Sequence, residues 1–317
     1  MRSFEKSILH SEGKRVRPKL LYDLDFTKIP TPLYNLFQKS LCDAETDVFI
    51  QSASKFSVWK LLIANICSSV VSRTTANGLV GRGGMFVLST AQAHSLLRSP
   101  AAPRSGDVDH APSSRLSNEP IFKTLLDIGA GDGGVTAKLS PLFEKVFVTE
   151  YSATMRWRLK RHGYEVLSHE DPFHDEKTKK RRLYDVISCM NVLDRADTPL
   201  TLLREMRESL NTGGLLLLAV VLPWCPFVEY NNKKQEPKEQ LPMAGGECRN
   251  GASFEMSMSK LVENVLQPCG FEVVRWTRVP YLCEGNFELE YSTLSDAVFV
   301  LRRSVPSEGD ISLSNDL

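Results

Sequence analysis

The run TLLDIGAGDGGV at residues 124–135 decides the fold of this chain of 317 residues. Thr124 to Ile128 is predicted to be a buried strand, and a helix is predicted from Val135 to Phe143. The glycines between them let a ligand approach the backbone, and N–H groups at the start of a helix supply hydrogen-bond donors. The run therefore predicts a ligand site where this strand meets this helix.

Apolar and amphipathic runs alternate through the rest of the chain, which is typical of βαβ units and of a parallel sheet covered by helices. Further strands are predicted at 146–150, 164–167, 184–189, 214–222, 271–276 and 296–301, and helices at 152–161, 199–210 and 254–266. No helix separates the last two strands, so we expect them to be antiparallel. The pattern predicts an α/β, Rossmann-like fold with a sheet of seven strands, mostly parallel.

Changes in composition indicate how the chain is divided. Two polar stretches, 99–120 and 230–252, are predicted to be mobile loops of one domain that spans residues 72–303. Residues 1–71 are predicted to be a partly helical N-terminal extension, and residues 304–317 a disordered tail.

The charge balance argues against several classes of partner. The chain has 39 Lys and Arg residues against 38 Asp and Glu residues, so its net charge of +1 creates no field that would attract nucleic acid. The apolar run at 58–71 contains polar residues and is shorter than the roughly 20 residues of a spanning helix. We therefore expect no nucleic-acid partner and no spanning membrane segment. A monomer is also expected.

The seven cysteines include no C-x-x-C pair, and the six histidines do not alternate with them at zinc-ligand spacings. We expect no metal site and no disulfide scaffold. The first thirty residues lack an apolar core of signal-peptide length. An intracellular location is therefore expected, although the sequence does not distinguish cytoplasm, endoplasmic reticulum and mitochondrion.

The glycine turn is compatible with two kinds of nucleotide ligand. Gly129, Gly131 and Gly134 satisfy G-x-G-x-x-G, the pattern of nicotinamide-binding turns. Asp127 and Asp132, however, would lie where a pyrophosphate carries its negative charge, whereas they would attract a ligand with an ammonium and a sulfonium group. The turn therefore favours S-adenosylmethionine, and a tight turn without any ligand is the remaining alternative.

Two further segments are predicted to reach the same edge of the sheet, where ligands gather in open α/β folds. Glu150 follows Gly129 by 21 residues. In nucleotide-binding α/β folds, an acidic side chain at this place accepts hydrogen bonds from the ribose hydroxyls. An N-cap or an exposed carboxylate at the end of a strand is the alternative for Glu150. In the run CMNVLDR at 189–195, Asn191 could face the cofactor and Asp194 the acceptor. A helix cap or an ion pair with Arg195 is the alternative for Asp194.

Two segments outside this edge also carry candidate binding residues. The glycine-rich run at 72–86 contains Arg73 and Arg82, which could pair with a carboxylate of the cofactor or the substrate, although a flexible connector explains the run nearly as well. Tyr281 lies in an aromatic and acidic segment, Pro280 to Gly285, that is predicted to be a turn between the last two strands. Core packing is the alternative for Tyr281.

Taken together, these motifs resemble the DREV family of protein-histidine methyltransferases. The resemblance extends from about residue 72 to 301, through SRTTANGLVGRGGMF, LLDIGAGDGGVT, VTEYSATM, YDVISCMNVLDRADTPLTLL, LAVVLP and RVPYLCEG. It implies a class I methyltransferase fold and methyl transfer from S-adenosylmethionine to the pros nitrogen of histidine in His-x-His motifs of protein substrates. A methyltransferase with another substrate, a nicotinamide-dependent enzyme and an inactive cofactor-binding scaffold are the alternatives.

The resemblance also implies roles for single residues. It places Glu150, Asn191 and Tyr281 against the cofactor, Asp127 and Gly129 in the cofactor loop, and Asp194 against the target imidazole. A neutral imidazole needs no strong base, because one ring nitrogen already holds a free lone pair. A carboxylate that accepts a hydrogen bond from the tele N–H would leave the pros nitrogen free, so we expect Asp194 to act as the catalytic residue.

Overall fold

A computed structural model describes residues 15–55, 84–98, 120–230, 233–243, 251–285 and 288–304. Its strands are β1 (Met85–Phe86), β2 (Phe122–Ile128), β3 (Phe143–Val148), β4 (Glu165–Val166), β5 (Tyr184–Met190), β6 (Leu210–Val221), β7 (Val228–Tyr230), β8 (Lys233–Gln235), β9 (Phe271–Glu284) and β10 (Tyr291–Arg303). Its α-helices are α1 (Thr31–Asn35), α2 (Ala44–Ala53), α3 (Thr90–Leu97), α4 (Gly134–Leu139), α5 (Ala153–Arg161), α6 (Pro199–Glu208) and α7 (Phe254–Leu261). Short 3₁₀ turns lie at Phe26–Lys28, Ser140–Leu142 and Leu193–Arg195, and a π-helical turn at Val262–Leu266 continues α7.

Eight strands of the described residues form one sheet in the order β1-β9-β10-β6-β5-β2-β3-β4. The five strands from β6 to β4 are parallel, and β10, β9 and β1 continue the sheet in antiparallel pairs. This is the α/β, Rossmann-like fold that the sequence predicts, including the antiparallel pairing of the last two long strands. The eighth strand, β1, is only two residues long, which is too short to leave a periodic pattern. The pair β7 and β8 forms a separate ribbon.

The predicted turn from Pro280 to Gly285 is wrong, because residues up to Glu284 belong to β9. Pro280 belongs to a residue type that is rare within strands. Pro280, however, lies opposite Ser295 of β10, whereas β1 reaches only Leu282 and Cys283 on the other side. A missing N–H is tolerated on a stretch of strand that has one neighbour.

Two boundaries near the glycine turn also differ from the predictions. The helix predicted to reach Phe143 ends at Leu139 and continues as a 3₁₀ turn, and Phe143 already begins β3. The strand β3 in turn ends at Val148, so Glu150 lies two residues beyond it. Glu150 thus belongs to the loop between β3 and α5, at the edge of the sheet.

Alternate residues of the central strands pack into two hydrophobic layers, one on each face of the sheet. Leu126, Ile187 and Leu218 belong to the layer that contacts α6 and α7, and their neighbours Leu125 and Val186 belong to the layer that contacts α3 and α4. Full burial of such a side chain contributes roughly 1.5–3 kcal/mol. The two layers fix the sheet, and with it the loops at its carboxyl edge.

The N-terminal segment packs against the end of this sheet. The indole N–H of Trp276 in β9 donates to the carbonyl oxygen of Leu33 in α1 at 2.7 Å, and Phe37 pairs with Trp276 through an isolated bridge. The hydroxyl of Tyr291 donates to the carbonyl oxygen of Pro18 at 2.6 Å. Residues 15–55 therefore share a core with the antiparallel strands, while the domain boundary at residue 72 stays a prediction.

Several segments discussed in the sequence analysis lie outside the described residues: the apolar run at 58–71, Arg73 and Arg82, the loop at 99–120 up to residue 119, residues 231–232 and 244–250 of the loop at 230–252, and the tail from 305. Within the described ranges, no helix is long and apolar enough to cross a membrane. Cys225 is disulfide-bonded, a bond that nothing in the sequence pattern indicated.

Candidate active site

The turn between β2 and α4 contains three glycines with a left-handed backbone, among them Gly133, which has a φ of 85° and precedes α4. Gly129 and Gly131 have φ values of 69° and 57°, in the left-handed region that residues with a Cβ rarely adopt. A Cβ on Gly129 would also lie 2.6 Å from Cγ2 of Val192, which follows β5. The turn is thus held tightly between the ends of β2 and β5.

The carboxylate of Asp127 lies directly beneath this turn and is buried. Its Oδ1 accepts a hydrogen bond from the hydroxyl of Ser188 in β5, and its Oδ2 accepts one from the hydroxyl of Thr136 in α4, both at 2.6 Å. Burial raises the pKa of Asp127 to about 6, although the two hydroxyl donors oppose the rise and the nearby charge of Glu150 adds to it. Asp127 ties together two strands and the helix that carry the turn.

Glu150 connects the glycine turn to the start of α5. Its Oε2 accepts a hydrogen bond from the N–H of Gly131 at 3.0 Å, and its Oε1 accepts one from the N–H of Ser152 at 2.8 Å. An ionised carboxylate oxygen can accept more than one hydrogen bond. Both oxygens of Glu150 therefore keep acceptor capacity for a pair of ligand hydroxyls.

A narrow cleft opens above the turn, between β2, β5 and the antiparallel strands. Its lining residues come from these elements and their loops: Met85, Val87, Asp127, Gly129, Ala130, Asp132, Val135, Met190 and Tyr281. The hydroxyl of Tyr281 donates to the sulfur of Met85 across the cleft. Burial raises the pKa of Tyr281 above its usual value, so the phenol keeps its proton at neutral pH.

Three polar side chains meet beside this cleft: Asp194 and Asp296 are buried, and Asn191 is half-buried. Asn191 adopts a φ of 58°, and its Nδ2 donates to Oδ2 of Asp296 in β10 at 2.6 Å. Asp194 is 4% exposed, and Nη2 of Arg195 lies 3.3 Å from its Oδ2. Burial raises the pKa of Asp194 to about 6, and the charge of Arg195 opposes this rise.

Each of these three side chains keeps one buried oxygen without a hydrogen-bond donor among the described residues. The atoms are Oδ1 of Asn191, Oδ1 of Asp194 and Oδ1 of Asp296. Buried acceptors without a donor are unfavourable in a folded protein and often mark places where a ligand binds. The cluster can therefore accept hydrogen bonds from a ligand that carries N–H groups.

A second, more open cavity of about 490 Å³ lies at the same edge of the sheet. It is bounded by Ile128 at the end of β2, by Thr149 directly after β3, by the loop 169–174, and by α6 with the residues just before it. Gly129 and Glu150 directly follow Ile128 and Thr149 in the chain, so the cavity adjoins the glycine turn.

The structure brings together most of the residues that the sequence singled out. Asp127, Gly129 and Tyr281 line the cleft, and Glu150 reaches Gly131 through a hydrogen bond. Sequence reasoning missed Met85, Met190 and Asp296. The two methionines carry no recognisable signal, whereas a lone carboxylate in the apolar run SDAVFVL at 295–301 could have been noticed.

Comparisons with known proteins find one matching family model and several similar solved structures. The family model of the DREV methyltransferase matches residues 22–303. Among solved structures, the mitomycin 7-O-methyltransferase MmcR is similar at 19% identity and a TM-score of 0.35, over 58% of this chain and 49% of MmcR. This chain therefore spans about half the length of MmcR.

Two smaller proteins of known structure are similar as well. The N-methyltransferase NodS from Bradyrhizobium japonicum, in complex with S-adenosyl-L-homocysteine, is 18% identical with a TM-score of 0.34, over 57% of this chain and 78% of NodS. DhpI, also in complex with S-adenosylhomocysteine, is 15% identical with a TM-score of 0.37, over 59% of this chain and 79% of DhpI. Similarity at this level carries no inference about substrate.

Proposed function

The chain belongs to the DREV methyltransferase family, and on that premise we propose that it methylates the pros nitrogen of histidine in His-x-His motifs of proteins. Family and fold make it an S-adenosylmethionine-dependent methyltransferase; the histidine acceptor is the proposal. The observation that carries it is the Asp194 carboxylate, which is 4% exposed and keeps an Oδ1 without a donor beside the cleft.

The residues around the glycine turn fit S-adenosylmethionine. This cofactor supplies a methyl group on a positively charged sulfur, together with an ammonium group and ribose hydroxyls. In our proposal Glu150 accepts hydrogen bonds from the ribose hydroxyls, and the free Oδ1 of Asn191 accepts one from a cofactor N–H. Gly129, Gly131 and Tyr281 shape the cleft.

Asp127 contributes to this proposed cofactor site in a different way from Glu150. Both of its oxygens already accept hydroxyl hydrogen bonds within the protein. We infer that it positions the glycine turn, although it also lines the cleft. Arg73 and Arg82, which lie outside the described residues, remain candidates for carboxylate binding from the sequence alone.

In this proposal Asp194 selects one ring nitrogen of a target histidine. Its Oδ1 would accept the hydrogen bond of the tele N–H, which leaves the lone pair of the pros nitrogen free for the methyl group. The carboxylate would then stabilise the imidazolium as positive charge develops on the ring. The N–H of Phe227 donates to the carbonyl oxygen of Asp194 at 3.0 Å, and the Arg195 guanidinium lies 3.7 Å from the centroid of the Phe227 ring. These contacts hold the 3₁₀ turn that presents Asp194.

Product analysis tests the acceptor. The protein is incubated with methyl-labelled S-adenosylmethionine and peptides that contain His-x-His, or Lys or Arg in place of the target histidine. We expect pros-methylhistidine after acid hydrolysis and chromatography, and no labelling of the Lys or Arg peptides, because neither presents a neutral planar nitrogen opposite a hydrogen-bonded N–H. The chain itself contains no His-x-His, so the label must appear in the peptide. A tele product would contradict the role of Asp194, and methyl-lysine or methyl-arginine would contradict the histidine acceptor.

A matched pair of variants tests Asp194 itself. We expect Asp194→Ala to lower kcat on the order of 100-fold or more while the cofactor Kd, measured by calorimetry, changes little, because the lost interaction strengthens only as charge develops. Asp197→Ala is the control: this carboxylate lies three residues further on and pairs with Lys238 at the surface. Equal loss of turnover in both variants, or loss of cofactor binding in Asp194→Ala, would remove Asp194 from the acceptor site.

A further inference from the structure

We propose that Asp296 is a positioning residue of the acceptor site, held as a neutral carboxylic acid that fixes Asn191 and leaves Asp194 as the single anion there. This inference rests on the proposed function for its role in turnover. The protonation of Asp296 itself can be tested independently of any activity.

The surroundings of Asp296 oppose a charge on its side chain. The residue is 0% exposed and lies in the middle of the sheet, paired with Val221 of β6 and Val279 of β9. The charge of Asp194 raises the pKa of Asp296, and a charge on Asp296 would in turn raise the pKa values of Tyr281 and Cys283. No Lys, Arg or His among the described residues lowers the pKa of Asp296. A buried carboxylate without a cation becomes neutral rather than remaining charged.

The hydrogen bonds of the cluster are completed by one proton on Oδ1 of Asp296. The amide of Asn191 already donates from Nδ2 to Oδ2 of the same carboxyl group at 2.6 Å. If Oδ1 of Asp296 carries a proton, it becomes a donor for Oδ1 of Asn191, and the amide and the acid are then joined by two hydrogen bonds. The amide oxygen has two lone pairs, so it can still accept from a cofactor N–H.

Asp194 is then the residue whose Oδ1 still lacks a donor within the cluster, so this oxygen is left to accept from the N–H of the substrate.

A neutral Asp296 also affects the ionisation of Asp194. If Asp296 were a second anion, it would raise the pKa of Asp194 further above its usual value. Asp194 would then be protonated at the pH where the target imidazole is neutral. The neutral acid avoids this, so Asp194 remains ionised and can accept the hydrogen bond of the tele N–H.

Two variants of Asp296 distinguish this arrangement from an ionised Asp296. Asp296→Asn keeps a neutral planar side chain with a donor, whereas Asp296→Ala removes it. We expect kcat for the His-x-His peptide to fall on the order of 10-fold or more in Asp296→Ala and to be largely restored in Asp296→Asn, with the acid limb of kcat/KM unchanged in Asp296→Asn. A shift of that limb to lower pH by a full unit in Asp296→Asn would mean that an anion had been removed from beside Asp194, and it would overturn the proposal.

An infrared measurement tests the proton without reference to turnover or to folding of the alanine variant. The difference spectrum between the unmodified protein and Asp296→Asn, recorded at pH 7, should contain the C=O band of a protonated carboxyl group. A pair of carboxylate bands in its place would overturn the proposal. If this band is present but no histidine is methylated, the protonation of Asp296 stands and the proposed function fails.

Discussion

Asp127 and Asp185 are two carboxylates on neighbouring strands whose pKa values move in opposite directions. Burial raises the pKa of Asp127 to about 6 in spite of its two hydroxyl donors. Asp185 is also partly buried, but Nδ2 of Asn211 donates to its Oδ1 at 2.7 Å and Thr124 donates twice to its Oδ2. These donors outweigh burial and hold the pKa of Asp185 below its usual value. The two residues therefore change stability with pH in opposite ways.

Asp127→Asn is expected to stabilise the protein at pH 8 but not at pH 4. The folded-state pKa of Asp127 is raised from about 4 to about 6, so folding favours the protonated form, and stability is lost as the pH rises through 6. A shift of two units corresponds to roughly 3 kcal/mol, which the neutral asparagine would recover. The free energy of unfolding in urea, measured from pH 4 to pH 8, gives this difference.

Asp185→Asn is the matched control for that experiment. The lowered pKa of Asp185 means that its carboxylate contributes stability above the unfolded-state pKa, which is lost as the pH falls through the folded-state value. Asp185→Asn should therefore have a lower free energy of unfolding than the unmodified protein at pH 8, and the difference should be smaller at pH 4. The same sign of change for both variants at pH 8 would show that hydrogen-bond loss, and not charge burial, dominates at Asp127.

At the scale of single elements, the loop from β2 to α4 shows most clearly what a sequence can and cannot predict. The strand, the glycine turn and the following helix leave strong local signals, so all three were predictable. The close approach of Val192 to Gly129 was not, because the two residues are brought together by the pairing of β2 with β5. Asp296 was missed for the same reason: its contact with Asn191 joins residues 105 positions apart.

Gly129→Ala is expected to destabilise the loop strongly. A left-handed φ costs an alanine roughly 1–2 kcal/mol, and its Cβ would also lie 2.6 Å from a methyl group of the stiff, β-branched Val192. Gly163→Ala is the control, because Gly163 has a φ of 85° but open space around the position of its Cβ. The free energy of unfolding and the cofactor Kd are measured for both variants, and we expect the larger loss of stability in Gly129→Ala.

The same experiment can be extended to identify the cause. If the contact with Val192 is responsible, the double variant Gly129→Ala, Val192→Ala should recover part of the lost stability and cofactor affinity, leaving only the backbone term that Gly163→Ala reports. If Gly129→Ala and Gly163→Ala lower stability equally, the loop has moved to relieve the contact between the new Cβ and Val192. The loss of stability then comes only from the left-handed φ.

At the scale of the whole molecule, the segment before residue 72 raises the question of where the folded unit begins. The family match starts at residue 22, fifty residues before the predicted domain boundary. Low regularity made this segment resemble an extension, since its two α-helices within residues 15–55 have only five and ten residues. Its structural contribution comes from contacts with β9 and β10 that are more than 200 residues away in the chain, such as the hydrogen bond from Trp276 to Leu33. Local patterns cannot report such contacts.

Leu33→Ala is therefore expected to destabilise the entire sheet and not merely the N-terminal segment. Leu33 is 6% exposed and belongs to the same hydrophobic layer as Leu126 and Phe299, so its truncation should lower the free energy of unfolding by about 2–5 kcal/mol. Leu41→Ala is the matched control, because Leu41 lies in the same segment but is 64% exposed, and we expect a change within about 0.5 kcal/mol. Urea unfolding followed by circular dichroism should show one cooperative transition that moves to lower urea in Leu33→Ala. If the segment were a separable extension, that transition would stay in place and only a small, separate change would appear.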